Sequence, residues 1–212
     1  NCSGSVAKFV AEEAEKSGLL KRYKNVDGVV PIVHGSGCGM ANSGEGYDLL
    51  FRTLSGYSQN PNFAAILLIG LGCEVMQIAD LVGKSRLKNE ECFRYMTIQD
   101  EGGTSKTIER GISNLEELLE YADQSNRKPS SVSKLTVGLQ CGGSDGYSGI
   151  TANPALGVAS DILVQNGGIS ILAETPEIYG AEHLLTRRAL TEEIGKKLLD
   201  RISWWETYTA RN

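Results

Sequence analysis

Residues 135–149 read LTVGLQCGGSDGYSG, a short β-branched apolar run that gives way abruptly to glycine and small polar residues. The same change recurs four more times. It is seen in VVPIVHGSGCGM (29–40), ILLIGLGCEV (66–75), YMTIQDEGGTSK (95–106) and ISILAETPEIYGAEH (169–183). Longer amphipathic segments separate these runs, which is the sequence form of repeated βα units and a mainly parallel sheet. The expected fold is therefore α/β, a Rossmann-like three-layer domain whose sheet of about five strands is flanked by helices. Expected strands are Val26 to Val33, Ala64 to Leu71, Arg94 to Gln99, Leu135 to Gln140 and Ile169 to Glu174. Helices are expected to begin near Ser3, Gly44, Glu74, Thr104, Pro154 and Pro176, with a last one from Thr191 to about Thr207. The opening NCSGS has the character of a loop after a strand, which places a further strand upstream.

The chain has 212 residues, enough for a substantial core in one domain. The polar stretch 123–133, DQSNRKPSSVS, fits a helix-to-strand connection inside that domain. Lys and Arg total 21 against 26 Asp and Glu, a net charge of -5, which argues against a general nucleic-acid or anionic-membrane surface. No apolar run approaches the roughly 20 residues that span a bilayer, and no signal-peptide pattern opens the chain. A soluble intracellular protein is expected. Cys2, Cys38, Cys73, Cys92 and Cys141 are odd in number, widely spread and without a CxxC pair, so neither a disulfide framework nor a zinc ribbon is indicated.

In an open parallel sheet all carboxyl ends lie along one edge, where ligands usually bind. On that expectation Cys38, Cys73, Gln99, Cys141, Ser144, Asp145, Glu174 and Glu177 converge. Glycines at strand exits permit positive φ and let backbone N–H groups approach an anion; sharp βα turns alone also call for them. GSGCGM lacks the third glycine of a dinucleotide fingerprint, and GGSDGYSG lacks the GxSxG elbow of a serine nucleophile. The two histidines, His34 and His183, with Glu174, Glu177 and Glu182, suit Fe(II), Mn(II) or Zn(II), or acid–base work near neutral pH. Cys38, Cys73 and Cys141 each follow a different strand and would suit a metal or an iron–sulfur cluster if they met. Lys106, Arg187 and Arg188 offer cations for a carboxylate, or a solvated helix face. Trp204 and Trp205 on the last helix are expected to cover an edge or contact another segment.

Five long strings, NVDGVVPIVHGSGCGM, LIGLGCEVMQI, EGGTSKTIERGI, LQCGGSDGYSGITANPALG and AETPEIYGAEHLLTRRA, resemble in order the altronate and galactarate dehydratase family. The resemblance runs over essentially the whole chain. It implies a cytoplasmic bacterial hydro-lyase of sugar-acid catabolism, with relatives that eliminate sulfite from sulfolactate. It also implies iron dependence, with a single ferrous ion preferred over Mn2+ or an iron–sulfur cluster. Full-length relatives carry further N- and C-terminal regions, so the chain is expected to be a single-domain central fragment, and a homo-oligomer is left open.

The chemistry so implied is loss of water from a polyhydroxy carboxylate, which needs a base for the α-proton and an acid for the β-hydroxyl. The expected catalytic set is His34, Glu174, Glu177 and His183. Gly37, Gly39, Lys106, Gly142, Gly143, Ser144, Asp145 and Ser148 are the expected substrate contacts. Cys38, Cys73, Gln99, Gln140, Cys141 and Glu182 are the candidates for metal contacts. The alternatives are a sulfo-lyase acting on sulfolactate and a non-catalytic anion-binding module.

Overall fold

The computed structural model describes residues 2–36, 38–84, 91–143 and 145–211. Contacts divide the chain into two compact units, Asn1–Lys128 and Pro129–Asn212. Each has one βαβ arrangement at its heart.

In the first unit, α1 (Cys2–Lys16) leads through a 3-10 turn and an extended segment to α2 (Glu45–Ser58). Strand β1 (Ile66–Gly70) is followed by α3 (Ile78–Lys84), β2 (Phe93–Thr97) and α4 (Thr104–Ala122). β1 and β2 are parallel, with Ile66 opposite Phe93 and Gly70 opposite Thr97. Two further bonds carry the pairing past the strands' ends, from the Ile98 N–H to the Gly70 carbonyl at 3.0 Å and from the Gln99 N–H to the Leu71 carbonyl at 3.1 Å. The core forms because α1 and α4 each present a helical stripe: Val6, Val10 and Ala14 on one, and Thr107, Gly111, Leu115, Leu118, Leu119 and Ala122 on the other. These stripes close on Leu19 and Ile98, with Leu67 and Ile69 packed at the margin.

In the second unit, β3 (Thr136–Leu139), α5 (Ala152–Gln165) and β4 (Ile169–Leu172) form the crossover. Thr136 pairs with Ile169 and Leu139 with Leu172, again in parallel. The Ser160 hydroxyl donates to that of Ser170 at 2.8 Å and ties α5 to β4. A 3-10 turn at Thr175–Ile178, the short α6 (His183–Thr186) and α7 (Glu192–Arg211) complete the unit.

The expected five-stranded Rossmann-like sheet is not present. The chain is α/β, but its described strands form two separate two-stranded parallel sheets. Four of the five expected strands exist; Val26 to Val33 is extended without entering a ladder. Its start is held sideways by the Asn25 amide groups on Asp123, both at 2.7 Å, and by the Arg127–Asp27 ion pair. Pro31 removes a ladder donor in its middle, and Val30 remains 65% exposed. The helix expected near Glu74 starts only at Ile78, and that near Pro176 is a 3-10 turn. Among the described residues no helix is long and apolar enough to cross a membrane.

The helix α4 packs closely on the core at Gly111, where an added Cβ would lie 2.8 Å from Val10 Cγ2 and 3.0 Å from Met96 Cε. Val10 is 2% exposed and Met96 4%, so neither has room to retreat. Gly111→Ala is therefore expected to lower stability by about 1–3 kcal/mol despite alanine's better helix propensity. Denaturant unfolding of the variant checks this; an unchanged or raised midpoint would contradict the packing.

Candidate functional site

The first unit's sheet edge is shaped by a carboxylate that the sequence reading passed over. Glu74, only 8% exposed, folds back over the exit of β1. The Leu71 N–H donates to its two oxygens at 3.0 and 3.1 Å, and the Gly72 N–H donates to Oε2 at 2.6 Å. The Gln77 side-chain amide closes the turn on the Glu74 carbonyl. This geometry requires the glycines of LIGLGCE. A Cβ at Gly70 would come 2.5 Å from Glu74 Oε1; Gly72 has φ +113, and its Cβ would meet Gln99 Oε1 at 2.5 Å. The turn delays α3 and leaves the Cys73 side of the edge exposed. Across it lie Gln99 and, beyond the positive-φ pair Gly102 and Gly103, Lys106, which passes 3.6 Å from a Cβ position at Gly102. Cys73, Gln99 and Lys106 thus belong to one edge. The signal for Glu74 was in the string itself, an acid two residues after a glycine at a strand exit.

His34 lies elsewhere in this unit, at the end of the extended segment, with its Nδ1 3.5 Å from the Ser36 hydroxyl. It lines a mostly apolar cavity of about 920 Å3, whose wall also includes Glu74, Val10, Leu67 and Leu118. Cys38 and Gly39 follow in an exposed loop; Gly37 lies outside the described residues.

In the second unit the exits of β3 and β4 meet through Glu174. The Cys141 N–H donates to Glu174 Oε2 at 2.7 Å, and Gln140 Nε2 donates to Oε1 at 3.2 Å. Gln140 Nε2 also donates to the Cys141 carbonyl. Gly142 follows with open space where a Cβ would stand. Asp145 accepts the Tyr147 and Ser148 N–H groups, both at 2.9 Å, while the Ser148 hydroxyl donates to the Asp145 carbonyl at 2.8 Å. These bonds turn the chain from Asp145 towards α5. Ser144 lies outside the described residues.

Glu177, Glu182 and His183 follow the exit of β4, and the Glu177 N–H donates to the Glu174 carbonyl at 3.1 Å. Glu177 belongs to the 3-10 turn, Glu182 precedes α6 and His183 opens it. Between them Tyr179 donates its hydroxyl to Glu206 Oε1 of α7 at 3.1 Å. That hydrogen bond, the Glu206 charge, partial loss of water and the Glu182 charge hold the phenol above its ordinary 10.0. On α7 the rings of Trp204 and Tyr208 stack with centroids 5.3 Å apart.

The expected gathering of all candidates along one edge required one sheet, and there are two. Gln140, Cys141 and Glu174 come together, as do Cys73, Gln99 and Lys106. Among the described residues, His, Cys, Asp and Glu form no group of three able to hold a metal ion.

Residues 1–123 match the second domain of D-galactarate dehydratase/altronate hydrolase, which is more than half of the chain. The chain belongs to this dehydratase family. Residues 132–212 match the family's C-terminal region, so the junction of the two matches falls where the two structural units divide. Within the family, the chain is 37% identical over 99% of its length to the altronate dehydratase of Bacillus subtilis. It is 41% identical over 74% of its length to the galactarate dehydratase (L-threo-forming) of Escherichia coli, and 37% over 90% to that organism's altronate dehydratase. It spans 41%, 31% and 38% of these relatives, respectively, less than half of each.

The raised Tyr179 ionisation has a definite pH sign. A folded-state value above the unfolded one gives a stabilising contribution that is complete below pH 10 and lost as pH rises through the raised value. In an ultraviolet phenolate titration, Tyr179→Phe is expected to remove a phenol that titrates above the ordinary value. Loss of a phenol that titrates at the ordinary value would contradict the Glu206 contact.

Proposed function

We propose that this chain carries the dehydration of a polyhydroxy carboxylate, a sugar acid such as altronate or galactarate. The observation that supports it most is identity of 37–41% to three sugar-acid dehydratases over most of the chain. The local geometry suits that chemistry, because Glu174 at a strand exit shares one small site with donors that accept a carboxylate.

In the proposed reaction a base takes the proton α to the substrate carboxylate. The C–H electron pair becomes the new C=C bond as the β C–O bond breaks, and an acid protonates the departing hydroxyl to give water. The enol then becomes the 2-keto-3-deoxy acid. His34 and Glu174 are the acid–base candidates. Lys106, Gly39, Gly142, Gly143 and Ser148 are proposed substrate contacts, and Glu177 and His183 further proton-transfer candidates. Ferrous iron belongs to this proposal through the family resemblance.

His34→Gln and Glu174→Gln, assayed in the whole protein with altronate, galactarate and sulfolactate, are each expected to lower kcat by about 100-fold or more with the fold intact. Near-normal turnover removes that residue from the catalytic set. Release of sulfite in place of water establishes the sulfo-lyase reading, and binding without either product establishes an anion-binding module. Iron and acid-labile sulfide are measured on the same preparation: iron alone supports a single ferrous ion, and matching sulfide supports a cluster on cysteine.

A further inference from the structure

We propose that the Cys141 N–H and the Gln140 side-chain amide form the binding site for a ligand carboxylate, and that Glu174 fills it until that ligand displaces it. This deepens the dehydratase reading and rests on it for the identity of the ligand. The structure already contains a carboxylate in the site. Glu174 reaches across from the exit of β4 and takes the Cys141 N–H at 2.7 Å and Gln140 Nε2 at 3.2 Å. Two donors directed at the two oxygens of one carboxylate are a matched recognition set, and a charged acceptor strengthens both bonds.

The site is built for exchange. Glu174 is half-buried and Gln140 exposed, so an incoming carboxylate can approach as the resident one leaves. Gly142 has no atom within 4 Å of a Cβ position, and Gly143 has only Asp145 Oδ2 at 3.9 Å, which leaves the approach clear beside the donors. The contrast with Glu74 is informative. That carboxylate is 8% exposed, bonds amides only two and three residues before it and is walled by Gly70 and Ile78, so it is a fixed part of its turn. Glu174 instead bonds residues 33 and 34 positions away in sequence, on a different strand. Displacing it opens one contact between strand exits and leaves the β3–β4 ladder intact.

The exchange has a consequence for the proposed chemistry. While bound to two donors, both Glu174 oxygens are engaged and neither is directed at a substrate. A substrate carboxylate that takes over those donors releases Glu174 beside the substrate's own α-carbon. Binding of the correct group and release of a base would then be one event.

The test uses the 212-residue chain labelled with 15N at cysteine, with the Cys141 amide resonance assigned by Cys141→Ser. Galactarate and plain acetate are the probes, and the uncharged polyol galactitol is the control. Both carboxylates are expected to shift the Cys141 amide saturably, and galactitol to leave it in place. An internal competitor divides the intrinsic Kd by the fraction of time the site is free, so Glu174→Ala should lower the Kd for galactarate by about threefold or more. Glu174→Gln, which keeps the side chain's size, should act in the same direction, and Gln140→Ala should weaken binding. A silent Cys141 amide, or a Kd that stays the same or rises in both Glu174 variants, would overturn the proposal. A water-elimination assay separates the two levels. Carboxylate binding at Cys141 without elimination keeps this site and removes the dehydratase reading. Elimination with a silent Cys141 amide does the reverse.

Discussion

A parallel strand that ends in a loop leaves N–H groups that the ladder no longer satisfies, and near a buried edge those groups must find acceptors. In this chain two carboxylates answer that constraint. Glu74 takes the Leu71 and Gly72 amides at the exit of β1, and Glu174 takes the Cys141 amide at the exit of β3. The glycines around them follow from the same requirement: Gly70 and Gly72 have no Cβ because Glu74 and Gln99 occupy the space where one would be.

The two devices differ in what they permit. Burial and short sequence separation make Glu74 part of the scaffold, and the turn it fixes determines where Cys73 stands and where α3 begins. Glu174 spans two strands at a half-exposed site, so the same kind of bond can be traded for another carboxylate. In this account the edge of the first unit is rigid and that of the second is exchangeable.

Much of this was legible in the sequence. The runs ending at Leu71, Gln99, Gln140 and Glu174 contain the strands, and the helix expected near Thr104 is α4. The apolar alternation at Val26 to Val33 looks the same on paper, yet Pro31 lacks a donor and the Asn25–Asp123 and Asp27–Arg127 contacts hold its start away from a ladder. Periodicity reports which residues are apolar, not which strand lies beside which, so one sheet could not be told from two. Glu74 escaped notice because an acid near a helix start has an ordinary explanation, and its backward reach to Leu71 and Gly72 depends on the turn it creates. Cys141, Glu174 and Gln140 were all recognised as candidates, but the bond that joins them depends on the parallel pairing of β3 with β4.

The central claim is that side-chain carboxylates hold the strand exits. It is tested most directly by amide hydrogen exchange at Leu71 and Gly72 in the parent chain and in Glu74→Ala. The account predicts slow exchange in the parent, and in the variant the loss of that protection together with about 1–3 kcal/mol of stability, the cost of leaving buried donors without a partner. Exchange at these two amides that is fast in the parent, or unchanged in the variant, would contradict it.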